Sequence, residues 1–243
     1  MKPIVIIPAR LASTRLPGKP LADIAGKPMI VHVMDRAKEA DVGQVIVACG
    51  EKDIADAVTG AGGDAVLTDP DLPSGSDRVF QALQQFDPNC DFDVVVNLQG
   101  DLPAIDPQMI RAVLDPLGES DVDIATLATL IDDDAERDDP NVVKAVVGFS
   151  EGSSTGRALY FSRSPVPHGD GSHYHHIGIY AFRRSALQKF VSLPESNLEK
   201  REKLEQLRAL EAGMRIDVSL VDTVPDGVDT PADLERAREI LEN

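Results

Sequence analysis

The sequence predicts an α/β fold with a mostly parallel central sheet and a strand-rich, mixed extension. Two observations carry this. Through the first half, apolar β-branched runs of strand length alternate with stretches of helical spacing, the pattern of βαβ crossovers. After about Ser120 the strands continue while the helices between them thin out.

Ile4 to Pro8 is a continuous apolar run, as expected of a strand buried on both faces. Pro28 to Ala40 places Ile30, Val33, Met34 and Ala37 at helical spacing. Gln44 to Cys49 reads as a second strand, Asp53 to Gly60 as a short helix, and Asp64 to Thr68 as a third strand. Ser76 to Phe86 is helical, Asp93 to Leu98 a further apolar strand, and Pro107 to Leu117 a closing helix. Beyond Ser120, Asp123 to Leu130, Val142 to Phe149, Arg157 to Phe161 and Ile177 to Phe182 read as strands. The acidic stretch Asp132 to Asp139 and the Gly- and His-rich segment Pro165 to His176 read as loops, the second as a lid. Leu198 to Ala212 reads as one helix, Ile216 to Val221 as a strand, and Pro231 to Leu241 as the last helix.

Composition narrows the partners. A formal net charge of −17 on 243 residues argues against nucleic acid or an anionic membrane surface, since both require a basic face. No apolar run is long enough to span a bilayer, and Met1-Lys2-Pro3-Ile4 enters a strand without a leader pattern, so a cytoplasmic protein is expected. Cys49 and Cys90 have no CxxC spacing and read as two buried free thiols. An acidic chain that binds an anion must gather its few cations locally, so clustered Lys and Arg carry information.

Such a cluster follows the first strand. Pro8-Ala9-Arg10 leads into Ser13-Thr14-Arg15-Leu16-Pro17-Gly18-Lys19-Pro20, which puts three cations, two hydroxyls and a Gly just past the carboxyl end of a buried strand. Ligands bind at that end of open α/β sheets. The spacing around Lys19 is neither a Walker A loop nor a GxGxxG turn. Asp101, at a strand tip after Gly100, has the setting of a metal ligand or of a turn Asp, and Asp229 lies just ahead of a helix start. That start reads as Thr230 for N-cap, Pro231 at the first helical position and Asp233 three residues on. Ser74-Gly75-Ser76-Asp77-Arg78 reads equally well as a plain helix cap or a polar-ligand site.

The opening loop closely resembles that of 3-deoxy-manno-octulosonate cytidylyltransferases. Gly26-Lys27-Pro28-Met29-Ile30, Ser74 to Arg78 and Asn97-Leu98-Gln99-Gly100-Asp101 continue the match. Tyr160-Phe161-Ser162-Arg163, His176-Ile177-Gly178-Ile179-Tyr180, Leu204-Glu205-Gln206-Leu207-Arg208 and Gly227-Val228-Asp229-Thr230-Pro231 complete it in order over nearly the whole chain. The resemblance implies a Rossmann-like nucleotide-diphospho-sugar transferase fold, one domain over residues 1–243. Residues 1–120 would mainly handle CTP, and 121–215 sugar binding and dimerisation. It implies transfer of CMP from CTP to the sugar acid with Mg2+ as cofactor, and a homodimer. Carried over residue by residue, Arg10, Arg15, Lys19, Asp101 and Asp229 serve catalysis, the two Asp as metal ligands. Pro8, Ala9, Arg10, Ser13, Lys19, Ser74, Gly75, Arg78 and Asp101 bind the nucleotide. Gln99, Arg163, His176, Tyr180, Glu205 and Gln206 bind the sugar acid.

Cys49-Gly50, Leu102 and the short Pro165 to His176 loop with His168 depart from the family pattern. They leave open an 8-amino analogue or a sialic acid as acceptor, or a silent nucleotide-binding regulator. Of the four histidines at 168, 173, 175 and 176, only His176 is given a role. No accompanying Cys or carboxylate spacing supports zinc.

Overall fold

The computed structural model describes residues 1–12 and 16–242, and its backbone contacts separate two units. One runs from Met1 to Arg111 and resumes at Pro225; the other is Ala112–Val224.

In the first unit, β1 (Pro3–Ala9) is followed by a 3-10 turn (Lys19–Leu21) and a small hairpin of β2 (Asp23–Ile24) and β3 (Lys27–Pro28). Then come α1 (Met29–Glu39), β4 (Gln44–Cys49), α2 (Lys52–Gly60), β5 (Asp64–Leu67), α3 (Gly75–Phe86), β6 (Val94–Asn97) and α4 (Pro107–Ala112). The strand order is β5-β4-β1-β6, and every one of these pairings is parallel. Ile4, Val5, Ile6 and Ile7 of β1 are wholly buried, as are Val94, Val95 and Val96 of β6. That is what crossover helices on both faces of a parallel sheet produce.

The second unit is built of β7 (Ile124–Ile131), α5 (Asp134–Asp138), β8 (Lys144–Phe149), β9 (Thr155–Ser162), β10 (His173–Arg183), α6 (Arg184–Ser192), α7 (Asn197–Glu202), α8 (Gln206–Glu211) and β11 (Ile216–Leu220). Its order is β10-β7-β11-β9-β8, with a further β10–β8 pairing. Only β7–β11 is parallel among these pairs; the others are antiparallel, which gives the mixed half that the thinning of helices foretold.

Five readings of the sequence are corrected. The Leu198 to Ala212 pattern is two helices, because Lys203 adopts a left-handed φ of 57° between α7 and α8. Pro107 to Leu117 divides into α4 and a 3-10 turn (Asp115–Gly118), whose start coincides with Pro116 at a position where a continued α-helix would lose a backbone bond. Both supposed loops contain regular structure. The acidic stretch forms α5, capped by the Asp133 carboxylate on the Ala135 amide, and β10 begins at His173. Cys49 is buried at the end of β4, but Cys90 is exposed in a turn with φ 59°. The hairpin β2–β3 and α6 were not anticipated; the first is too short to show a period, whereas Ala186, Leu187 and Phe190 of α6 do stand at helical spacing.

The last helix, α9 (Pro231–Glu242), returns to the first unit. Its Leu234 and Ala237 join Ile24, Met29 and Val228 in a buried cluster, with Leu16, Ala22 and Leu241 packed against it. This cluster anchors the segment that carries Asp229. The helix start is the one expected: the Asp233 amide donates to Thr230 Oγ1, while the Asp233 carboxylate accepts the Thr230 amide at 2.8 Å and the Asp229 amide at 3.1 Å. The bond from the Thr230 hydroxyl is the main reason the Asp233 carboxyl falls to about 2; burial works against that, and the two amides add to it. A depressed carboxyl stabilises the folded state above its unfolded value near 3.8, and that gain is lost as pH falls through about 2. Asp233→Ala is therefore expected to cost about 1 kcal/mol at pH 7. In chemical denaturation, the gap from the parent should narrow as the pH drops from about 4 towards 2.

Candidate active site

The carboxyl ends of β1 and β6 meet the opening of α3 and the residues ahead of α9 around a cleft of about 410 Å3. Pro8, Ala9, Arg10, Lys19, Ser74, Gly75, Arg78, Gln99, Asp101 and Asp229 all line it. All ten belong to the first unit. Ser13 and Arg15 lie outside the described residues. Ala12, Pro20, Leu72 and Gly100 complete the wall; Ala12 and Leu72 carried no chemical signal in the sequence.

At its centre the Lys19 ammonium donates to Asp101 Oδ2 at 2.8 Å and to Asp229 Oδ1 at 3.1 Å. Burial opposes the charge on Lys19, but the pull and hydrogen bond of Asp101, reinforced by Asp229, outweigh it and raise its pKa. The geometry depends on close backbone approach. A Cβ at Gly100 would stand 2.8 Å from the Pro8 carbonyl oxygen, so only glycine lets the β6 tip lie against β1. The Val228 amide donates to the Asp101 carbonyl at 2.9 Å, and Val228 itself is buried, which fixes Asp229 beside Asp101. Gly18, at φ 70°, turns the chain into the 3-10 segment that presents Lys19.

Two carboxylates converging on one cation also suit a hard divalent ion, which takes oxygen ligands and retains others from phosphate and water. The Lys19 ammonium shows that both oxygens reach a single positive centre.

On the other side of the cleft, the Ser74 hydroxyl caps α3 by accepting the Asp77 amide. Arg78 is almost wholly buried. Its guanidinium donates to Thr68 Oγ1 at 2.5 Å, to the Asp69 carbonyl at 3.0 Å and to the Pro70 carbonyl at 3.1 Å. Burial, and secondarily the charge of Arg10, pull its pKa down, while Glu51 and Asp69 resist. Arg78 thus holds the 68–70 segment to α3 from within the wall.

The residues expected to bind the sugar acid, apart from Gln99, fall in the second unit. Arg163 donates to the carbonyls of Glu202, Pro140 and Lys203 and receives the Glu202 carboxylate on its own amide. This lock holds the turn where α7 gives way to α8, directly before Glu205 and Gln206. Gln206 is buried, and its amide nitrogen has no hydrogen-bond partner among the described residues. His176 packs between Phe161 and Tyr180, with Nε2 3.0 Å from Thr126 Oγ1. Burial, helped by His175, lowers it to about 3, so the ring is neutral near pH 7. Burial, then the charge of Glu205, raises the Tyr180 phenol. Between these two residues Gly178 and Ile179 have no partner on β7, and Thr126 Oγ1 meets the carbonyls of Ile177 and Ile179 in that bulge. The remaining histidines diverge: His173 reaches the Pro167 carbonyl and His175 pairs with Glu136 at 2.7 Å.

Comparison with known proteins shows the family of the chain. The family model described as cytidylyltransferase matches residues 4–216. The chain is 64% identical over 241 residues to the 3-deoxy-manno-octulosonate cytidylyltransferase of Paramagnetospirillum magneticum, covering 99% of this chain and 98% of that one. It belongs to the 3-deoxy-manno-octulosonate cytidylyltransferase family. The enzyme of the same name from Rhodospirillum rubrum is 66% identical over 240 residues, covering 98% of this chain and 95% of that protein. Among solved structures, a CMP:2-keto-3-deoxy-manno-octonic acid synthetase complexed with CTP superposes with a TM-score of 0.92. It has 41% identity and covers 100% of this chain and 99% of that chain. A Leptospira borgpetersenii cytidylyltransferase at 17% identity and TM-score 0.63, covering 100% of this chain and 87% of that chain, shares the fold. The α/β nucleotidyltransferase fold of the family is thus the one seen here.

Within this family member, Arg78 serves as a three-way tie that lysine cannot reproduce, since a single ammonium lacks the planar fork. Arg78→Lys should lower the unfolding free energy by about 1–3 kcal/mol, read by chemical denaturation.

Proposed function

We propose that the chain transfers the CMP group of CTP to the anomeric hydroxyl of 3-deoxy-D-manno-octulosonate and releases pyrophosphate. The observation that carries this reading is the meeting of Lys19, Asp101 and Asp229 in a cleft lined by the cation loop. The relatives named above supply the acceptor.

In this reading the cleft receives the triphosphate, with Arg10, Arg15 and Lys19 neutralising its oxygens and Ser74, Gly75 and Arg78 framing the base. Pro8, Ala9 and Ser13 shape the nucleotide side. Asp101 and Asp229 would hold Mg2+, which would neutralise charge on the phosphates and make the attacking hydroxyl more acidic. Lys19 leaves its two carboxylates to meet phosphate. Gln99, Arg163, His176, Tyr180, Glu205 and Gln206 bind the sugar acid. The buried, unpartnered amide of Gln206 supports that role, since such a donor is costly unless a ligand accepts from it. With Nε2 engaged by Thr126 Oγ1, neutral His176 has Nδ1 to offer a ligand without adding charge. The transfer asks the protein mainly for positioning and charge stabilisation in line with the α-phosphorus.

The finer architecture follows the same reading. It is a Rossmann-like nucleotide-diphospho-sugar transferase fold, with residues 1–120 serving CTP and 121–215 serving the sugar and a homodimer contact. Among the described residues no helix is long and apolar enough to cross a membrane. We place the enzyme in the cytoplasm, where its product would feed lipopolysaccharide synthesis. The departures at Cys49-Gly50 and Leu102 lie around the cleft without removing either carboxylate.

Pyrophosphate release with CTP, Mg2+ and the octulosonate tests the reading, with UTP, an 8-amino analogue and sialic acid alongside. Release should occur with CTP and the octulosonate, stop with EDTA and return with Mg2+. Asp101→Asn and Asp229→Asn should each slow turnover by about a hundredfold or more. Near-normal turnover in either variant contradicts the assignment.

A further inference from the structure

The loop that presents Arg10 is held by a residue outside the cleft wall. Glu51 follows Gly50 at the end of β4 and stands at the N-cap of α2. Glu is not among the usual capping residues, and the Glu51 side chain makes no cap bond. Its Oε2 instead accepts the Leu11 amide at 2.9 Å, 40 positions earlier in the chain. One residue back, the Gly50 amide donates to the Ala9 carbonyl at 2.9 Å. The backbone groups on both sides of Arg10 are therefore gripped by two successive residues of the neighbouring chain segment. The Leu11 carbonyl in turn accepts the Gly18 amide at 3.4 Å, closing the loop ahead of Lys19.

The packing leaves little latitude. A Cβ at Gly50 would stand 3.3 Å from the Arg10 Cβ and 3.0 Å from an Arg78 guanidinium nitrogen, so the grip brings the strand tip close under both arginines. A carboxylate close to Arg10, which lines the cleft, reduces the positive potential there. A merely electrostatic demand of the site would exclude it. Its attraction also resists the fall in the Arg78 pKa that burial and Arg10 cause.

We propose that Glu51 is a positioning residue for the phosphate loop, fixing the direction of Arg10 by holding the Leu11 amide and so setting affinity for CTP. This rests on the reading of the cleft as the CTP site. Two variants separate the tether from the charge. Glu51→Gln keeps an acceptor oxygen without charge, whereas Glu51→Ala removes both.

Steady-state kinetics and hydrogen exchange of the Leu11 amide decide it, with Lys19→Gln run in parallel. Glu51→Ala should raise KM for CTP by about five- to tenfold, the worth of one hydrogen bond. It should leave kcat and KM for the octulosonate within about twofold and speed exchange at Leu11. Glu51→Gln should restore the CTP KM and the slow exchange. The inference is overturned if Glu51→Ala leaves KM for CTP unchanged while Lys19→Gln raises it. Equal losses in both Glu51 variants overturn it too, as do parallel losses in kcat and both KM values with a lowered melting temperature. If neither Glu51→Ala nor Lys19→Gln moves KM for CTP, the reading of the cleft itself falls.

Discussion

The contact on which the described site depends is the bridge from the Lys19 ammonium to Asp101 and Asp229. Those carboxylates lie 82 and 210 positions along the chain from Lys19. Each reaches the bridge by a different route. Asp101 rides on the tip of β6, which can approach β1 only because residue 100 is glycine. Asp229 is delivered by the return of α9, held by buried Val228, Leu234 and Ala237 and by the Val228 amide on the Asp101 carbonyl. Lys19 arrives through the turn after Gly18. Without the turn that presents Lys19, two carboxylates would converge in a partly buried cleft with no cation between them.

The same bridge accounts for how a chain of net charge −17 can receive a triphosphate. Positive charge is gathered at one strand end, and the nearest acids are matched to it. Glu51 holds the Leu11 amide beside Arg10, while Asp101 and Asp229 face Lys19. These acids hold the Leu11 amide and the Lys19 ammonium at either end of the cation cluster. In the function proposed, Asp101 and Asp229 would turn to the hard divalent cation that the anion brings. In the second unit a charged pair also serves, since Arg208 of α8 meets Glu199 of α7 at 2.6 Å. Arg163 and Glu202 lock the α7–α8 turn, and a bulge in β10 sets His176 and Tyr180.

Much of this was legible in the sequence because it rests on local chemistry. Buried strands show as unbroken Val and Ile runs, so β1, β4 and β6 were readable to within a residue or two. The capping box of Thr230 and Asp233 lies within four residues and was read outright. The cation loop and Asp101 announced themselves by charge at a strand end. What escaped depends on distant partners. The break at Lys203 comes with a left-handed backbone that the Leu spacing of 204, 207 and 210 does not reveal, and Arg163 closes on it from β9. Glu51 looks like an ordinary acid before a helix; only the fold brings Leu11 to it. The inward turn of Arg78 to the 68–70 carbonyls was hidden for the same reason, since a basic residue in a helix's first turn reads as surface.

A crystal structure of the chain with CTP and Mn2+ in place of Mg2+ would test the central claim most directly, because anomalous scattering locates the metal without assumption. The account requires the metal on carboxylate oxygens of Asp101 and Asp229, with Lys19 turned from them to phosphate. It also requires the triphosphate to lie along Arg10. A metal bound elsewhere, or CTP bound with Lys19 still bridging both carboxylates, would contradict it.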